Sequence, residues 1–490
     1  MSQHMPSVAD TSTPARILSI HISSIAEAFW WNIDALLEVT DAAVPEITKL
    51  DSLDESLSVV MNMMSSLSEG SMGKVRNAFA KAESISSETS DGEAPSLMEF
   101  MWDEVKSETW GPAFIMRLHE TLQRPPRLPI FLQSTTVSAV SNFEVLFSRL
   151  VAEYYSFIPQ ALEAASREKE KEFSLKELKE MESLNDAIEI AIRRRVDELM
   201  FGSFSEWRKF FADKMNLKFE DYAVDWEFLQ EVFQRRHVIV HNGGMVSRRY
   251  LRNVAQKYST DVKEGDLLPV DHEYVVRAAS ELLAFGFLLA IATGIKLAKT
   301  EAEFLNGKLH MFTYRNLKKS RYRIVEKCAT FGEILAQDMD DELIYRVNKW
   351  IARQRMGDES VRPEVEDWDV RALSSRYKLA KYCLLGENEP AMTIVESLYS
   401  TGDLSFEDII EWPLLQPLRG TDSYVALTRR MEIPEGWHLS EVILYENPNS
   451  GTLHLRRCPL VRDDFKRKTV DQVDPESAIL CKRCKPVLTR

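Results

Sequence analysis

The chain has 490 residues, 44% of them hydrophobic, and a formal net charge of −15. That length exceeds what one hydrophobic core serves, so two to four domains are expected. The acidic balance argues against a protein coated in nucleic acid, although local basic patches survive within it. Five cysteines, three of them crowded near the C-terminus, do not read as a disulfide framework. A reducing, cytoplasmic setting is expected, and no basic start followed by an uninterrupted apolar core marks a secretory signal.

Glycine and proline are sparse, and periodic segments rich in Leu, Glu, Lys and Ala dominate, so a mainly α fold is expected. Residues 1–16 are rich in Ser, Thr and Pro and read as a disordered tail. Residues 17–124 read as an N-terminal helical domain from which no chemistry can be extracted. Ile17 to about Leu50 is amphipathic, with Phe29, Trp30 and Trp31 expected in the core and Pro45 expected to break the helix. Glu27, Asn32 and Asp34 interrupt the apolar run Ile17 to Val39, which argues against a membrane span. Asp51 to Ile85 continues helically through the packing residues Met61, Met63 and Met64. Ser86 to Ser96 reads as a loop, and Met98 to Leu122 as helix interrupted at Gly111-Pro112. Arg124-Pro125-Pro126-Arg127 then marks a boundary.

From 130 to 299 the pattern changes to long helices. Ser138 to Ile158 carries Asn142-Phe143-Glu144, and Ser174 to Met200 opens on a capping box at Ser174 and Glu177. Helices are also expected near Ser205 to Lys214, Asp225 to His241, Met245 to Tyr258 and His272 to Leu297, the last strongly apolar and central. The densest chemistry lies in Gln234-Arg235-Arg236-His237-Val238-Ile239-Val240-His241-Asn242-Gly243-Gly244. This reads as the last turns of a helix, with Val238, Ile239 and Val240 largely buried and a glycine supplying the left-handed stop. His237 and His241 are four apart and share a face, whereas Arg236 and His241 lie roughly 140° apart around the helix. Only the long arginine side chain, or a second copy of the helix, would bring Arg236 and His241 to one phosphate.

This order of helices resembles the HEPN superfamily, whose mark is an Arg, a polar residue, a few apolar residues and a His. Here those are Arg236, His237, Val238-Ile239-Val240 and His241, with Asn242, Gly244, Val246 and Tyr250-Leu251 following and Phe143-Glu144 on an early helix. The polar position is most often Asn in that family, and His237 stands there in this chain. The resemblance implies a helical bundle over 130–299 and a metal-independent endoribonuclease built at a homodimer interface, of the type found in bacterial toxin and antiphage defence systems. It implies His241 as base and acid, Arg236 steadying the phosphate and His237 supporting them, with RNA as partner. The chemistry fits these residue types. Cutting RNA without a metal needs a base for the 2′-hydroxyl and a cation for the growing phosphate charge. A His titrates near neutral pH and an Arg binds phosphate oxygens bidentately; a helix C-terminus favours a protonated His241. Glu144 is a candidate to orient Arg236 or His241, with a surface salt bridge as the other reading. A non-catalytic HEPN domain that binds a nucleotide or partner is the competing class, and a transcriptional regulator led by the C-terminal module is a third.

Several basic stretches have two readings. Arg193-Arg194-Arg195, with Trp207 and Arg208, would guide an RNA backbone or form a solvated face. Residues 300–430 read as a second helical region, opening on Arg315, Lys318, Lys319, Arg321 and Arg323 with Tyr314 and Tyr322 interleaved. Glu364, Glu366, Asp367 and Asp369 around Trp368 read as an exposed acidic loop with one packing aromatic. Ser375 to about Leu427 reads as two short helices, a turn, a further helix and a Trp412-Pro413 stop, similar to a tetratricopeptide-like hairpin.

Residues 440–490 carry His454, Cys458, Cys481 and Cys484, spaced His-x3-Cys and Cys-x2-Cys. Four borderline or soft ligands in two close pairs suit a structural, tetrahedral Zn²⁺ with no open position. The module resembles the small metal-binding finger of Ada-type DNA repair proteins, with His454 replacing a Cys there. The basic residues Arg456, Arg457, Arg462, Lys466, Arg467, Lys468, Lys482, Arg483 and Lys485 around it point to DNA or RNA contact, with a protein contact as the alternative.

Overall fold

A computed structural model describes residues 13–52, 62–86, 97–122, 125–168, 173–174, 177, 181–431, 443–448, 450–455, 460, 465–469, 473 and 477–481. It is mainly α, as composition and periodicity lead one to expect. The helices are α1 (Pro14–Leu50), α2 (Glu69–Ser86), α3 (Leu97–Val105), α4 (Gly111–Leu122), α5 (Arg127–Phe157), α6 (Pro159–Glu168), α7 (Leu184–Met200) and α8 (Phe204–Met215). They continue with α9 (Trp226–Asn242), α10 (Arg248–Asn253), α11 (His272–Leu297), α12 (Ala302–Lys318), α13 (Tyr322–Leu335), α14 (Met339–Arg355), α15 (Val361–Asp367), α16 (Ser375–Leu385), α17 (Asn388–Thr401), α18 (Phe406–Glu411) and α19 (Asp422–Arg430). Four short strands close the chain: β1 (Ile443–Glu446), β2 (Thr452–Leu455), β3 (Lys466–Thr469) and β4 (Ile479–Leu480), in the order β3-β1-β2-β4.

Two compact units interleave along the sequence, one drawn from 1–30, 143–226 and 280–490 and the other from 31–142 and 227–279. The first is built on aromatic packing. Trp30 meets Phe312 edge-on at 5.0 Å, Phe287 stacks on Phe312 at 3.8 Å, and Phe147 stacks on Trp207 at 4.6 Å. Gly286 is required here, because a Cβ would lie 2.7 Å from the Leu146 side chain and 2.5 Å from Phe29. A second cluster of the same unit joins α13 to α19 through Val347, Ile351, Leu379, Val395, Ile409 and Leu415. Helix α11 has a mean hydropathy of 1.9 in its most apolar window, 83% of which is buried within the protein. That helix is long and apolar enough to cross a membrane by length and composition, and its burial makes it a core helix.

The second unit holds one core of Met64, Val75, Met101, Val105, Phe114 and Leu118, and smaller clusters around Val238 and Leu132. Two local expectations change. Helix α1 runs through Pro45 to Leu50, with its far end held by Asp51, whose carboxylate accepts the Leu128 N–H (2.8 Å) and pairs with Arg127 (3.3 Å). Tertiary anchoring thus outweighs the single hydrogen bond the proline removes. Trp31 is 50% exposed while Trp30 is 1% exposed, since consecutive helical residues point about 100° apart and only Trp30 shares the stripe of Ile22, Ala26, Ile33 and Leu37. Met61, the Ser86–Ser96 loop beyond Ser86 itself, and residues 1–12 of the tail lie outside the described residues.

Candidate active site

Helix α9 forms because its inward face is apolar at helical spacing: Phe228, Leu229, Val232 and Val238 are all buried. It ends at Asn242, and the two residues that follow, Gly243 (φ 60°) and Gly244 (φ 84°), are both left-handed, which glycine adopts without strain. The Gly244 N–H donates to the Val238 carbonyl (3.2 Å), and the chain is held against a returning segment by Leu268 N–H to Gly244 O (2.9 Å) and Val246 N–H to Asp266 O (2.8 Å). The last turns of α9 are therefore fixed from both sides of the glycine pair.

On those turns Arg236 and His237 are half-buried and His241 is exposed. The imidazoles of His237 and His241 lie 4.6 Å apart between ring centroids at 48°. Among the described residues neither ring has a hydrogen-bond or carboxylate partner. Burial, and then the positive charges of Arg249, His241 and Arg236, push the His237 pKa below its ordinary value. The two rings and the guanidinium groups of Arg236 and Arg249 together make this face of the helix basic.

Arg235 points the other way. Its Nε donates to Glu231 Oε1 (2.6 Å), its guanidinium lies 4.0 Å over the Tyr274 ring, and it also donates to the Pro269 carbonyl. Glu231 is fully buried and accepts from Tyr250 Oη at 2.7 Å and Tyr274 Oη at 2.8 Å. Of the two arginines adjacent in sequence, Arg235 is thus taken up by a buried structural network, which leaves Arg236 as the candidate for the site. Sequence reasoning missed Glu231, although a glutamate on the apolar stripe of α9 was a readable signal. Glu144 is half-buried on α5 and belongs to the first unit, whereas Arg236, His237 and His241 belong to the second.

No protein-family model, no curated protein and no solved structure matches this chain.

The basic stretches away from α9 are largely engaged. Arg194 pairs with Glu177, Arg195 with Glu198 (2.8 Å) and Arg208 with Glu220 (3.1 Å), while Trp207 is a core residue whose Nε1 donates to Leu199 O (2.8 Å). Lys318 pairs with Glu411, and the Arg315 guanidinium lies 5.4 Å over Trp30. The acidic stretch is exposed as expected, but Glu364, Glu366 and Asp367 are helical and only Asp369 lies outside the helix. Glu364 sits in α15, where it accepts from Trp350 Nε1 (2.7 Å) and pairs with Arg353 (2.9 Å), and Trp368 packs against the α13–α19 cluster.

In the C-terminal sheet, β2 pairs in parallel with β4, Leu453 facing Leu480, and the Cys481 N–H donates to Leu453 O (3.0 Å). Continuing that register brings His454 and Cys481 level on neighbouring strands, and both are buried, at 4% and 5% exposure. One candidate ligand from each pair is therefore side by side, which fits a shared tetrahedral ion. Cys458 and Cys484 lie outside the described residues, as do Arg456, Arg457, Arg462, Lys482, Arg483 and Lys485. Among the described residues no group of three or more His, Cys, Asp and Glu side chains is placed to hold a metal.

Proposed function

We propose that this chain is a metal-independent endoribonuclease of HEPN type that works in the cytoplasm as a homodimer, in a toxin or antiphage role. The observation that carries the reading is the adjacent pair of half-buried His237 and exposed His241 on the last turns of α9, flanked by Arg236 and faced by the cation of Arg249. In the proposed reaction the RNA 2′-hydroxyl attacks the adjacent phosphorus, and the bond from phosphorus to the 5′-oxygen breaks. His237, biased toward its neutral form, accepts the 2′-hydroxyl proton, and His241 donates a proton to the leaving 5′-oxygen. Arg236 offsets the charge that builds on the non-bridging oxygens. This gives His237 the base role that the family resemblance assigns to His241.

Two features support assembly across a dimer. Arg236 and His241 diverge by roughly 140° on one helix, so a symmetry-related α9 would complete the pair. Beside His241 lie the exposed apolar side chains Val240 (48%), Met245 (43%) and Leu267 (60%), the last two on bridged backbone positions, which suit a covered interface. In the C-terminal module, His454, Cys458, Cys481 and Cys484 would hold one structural Zn²⁺, and the basic residues around it would contact nucleic acid.

Expression of the wild type and of His241→Ala tests the reading, with growth and total RNA followed in both and in vitro cleavage repeated in EDTA. Cleavage by the wild type alone, retained in EDTA while the zinc module stays folded, is the expected result. RNA equally intact in both sinks the nuclease reading, and RNA binding without cleavage would make the site a regulatory one.

A further inference from the structure

Helix α10 and the turn after it lie against α9, and three side-chain contacts hold them there. Lys257 Nζ pairs with Glu227 (2.7 Å), and Asn253 Nδ2 donates to Gln234 Oε1 (3.3 Å). The Tyr250 ring packs in one buried cluster with Val238, the residue after His237, so Arg249 beside it is brought to the end of α9 that carries His237. The Tyr250 hydroxyl fastens the helix from inside, on the buried Glu231. The charge of Arg249 depresses the His237 pKa more than that of either His241 or Arg236, as this placement requires.

Arg249 is also exposed and makes no ion pair or hydrogen bond among the described residues, whereas its neighbour Arg248 is paired with Glu264 at 2.7 Å. A guanidinium placed against an imidazole, with no carboxylate to neutralise it, raises the positive potential of that face and suits an incoming anion. We propose that Arg249 is a substrate-binding residue of this site, which takes a backbone phosphate of single-stranded RNA beside His237. The proposal rests on the nuclease reading for its substrate class, and it adds a cation that lies outside the Arg236–His241 motif and comes from a separate helix. The Glu231–Tyr250 hydrogen bond fastens that helix, and so the residue that carries the guanidinium, to α9.

The test is binding of a fluorescent 2′-O-methyl RNA oligonucleotide, which the proposed reaction cannot cleave, followed by anisotropy across a salt series. Arg249→Ala is expected to weaken binding about tenfold and to make the slope of log K against log salt shallower by about 0.7, the loss of one phosphate contact to a single strand. Arg249→Lys keeps the charge and is expected to restore the slope. Arg248→Ala, which removes a cation already paired with Glu264, is expected to match the wild type. A merely structural role for Arg249 would lower the thermal midpoint without changing the salt slope of the remaining folded protein. An unchanged affinity and slope in Arg249→Ala, with the wild type binding, overturns the proposal. A wild type that binds no RNA overturns it together with the nuclease reading. A wild type that binds through Arg249 and leaves 2′-hydroxyl RNA uncut sinks the nuclease reading alone.

Discussion

Tyr250 Oη lies 2.7 Å from Glu231 Oε1, which ties the segment after the glycine pair to a carboxylate five residues ahead of Arg236 on α9. The same carboxylate holds Arg235 and Tyr274, so one fully buried group joins α9, α10 and α11. Removing it leaves the Arg235 charge desolvated and unpaired. Glu231→Ala is therefore expected to cost about 3–5 kcal/mol, whereas Tyr274→Phe, which deletes one hydrogen bond to a charged group, should cost about 1.5–3 kcal/mol. Urea denaturation of each variant checks this. Equal costs would mean that the network is not organised around the carboxylate. Burial and the Glu231 charge push the Tyr250 and Tyr274 hydroxyls far above the usual phenol range, so the network stays intact across ordinary pH.

The His237 shift fixes a sign for the pH behaviour. Its folded pKa lies below its ordinary value of 6.5, so between the two values the unfolded chain binds more protons than the folded one. Stability from this group is complete above 6.5 and is lost as pH falls through the folded value. The acid limb of the cleavage rate should likewise lie below 6.5, because a general base must be neutral. NMR titration of the imidazole resonances tests this directly, with Arg249→Ala moving the His237 midpoint upward. A midpoint that ignores Arg249 would contradict its placement beside His237.

How much of this was readable from sequence depended on whether the deciding interaction was local. The apolar run of α11, the Gly243-Gly244 stop and the Ser174–Glu177 contact are local and stand where their patterns placed them, the Glu177 N–H donating to Ser174 Oγ at 3.2 Å, although the helix to Met200 opens only at Leu184, behind a second capping box at Ser183 and Asp186. Trp31 was misread because a cluster of aromatics was taken as a unit, when the helical period separates adjacent residues. Pro45 was misread because Asp51 and Arg127, 76 residues apart, hold the end of the helix. The engagement of Arg235 rests on Tyr274 and Pro269, and the placement of Arg249 rests on the packing of Tyr250 with Val238. Nothing within α9 announces either.

Packing of α13 on α14 offers a test away from the site. Gly332 lies against the ring of Tyr345, where an added Cβ would overlap the ring edge, and Tyr345 is itself fixed by a 2.7 Å hydrogen bond to Asn306 and a 4.0 Å stack on His310. Because the ring cannot yield, Gly332→Ala should cost about 1–3 kcal/mol by overpacking. Combining it with Tyr345→Leu, which removes the obstructing ring edge, should cost less than the two changes summed. Strict additivity in thermal denaturation would rule out the clash as the cause.

In the C-terminal sheet, side-by-side burial of His454 and Cys481 leads to a metal prediction. Protein purified without chelator should carry about one zinc per chain by elemental analysis, and His454→Ala or Cys481→Ser should lower that content sharply. Limited proteolysis should then cut preferentially in 440–490 while α9 and α11 stay resistant. Zinc content that is nil in the wild type, or untouched by both substitutions, would refute the ligand set.

The angular separation of Arg236 and His241 leads to the sharpest test of assembly. If each site takes Arg236 from one chain and His241 from the other, Arg236→Ala and His241→Ala are each inactive alone. A mixed dimer of the two variants, however, rebuilds one complete site from the intact Arg236 of one subunit and the intact His241 of the other. Co-refolding equal amounts should therefore return about a quarter of wild-type cleavage, since half the dimers are mixed and each carries one working site of two. If both groups act from the same helix, every site in the mixture lacks one of them and no activity returns. Val240→Asp, which places a charge on the exposed apolar side chain next to His241, should give a folded monomer by light scattering that binds RNA weakly and does not cut it. A monomeric Val240→Asp that still cleaves would detach the chemistry from the dimer and return Arg236 and His241 to a single-helix arrangement.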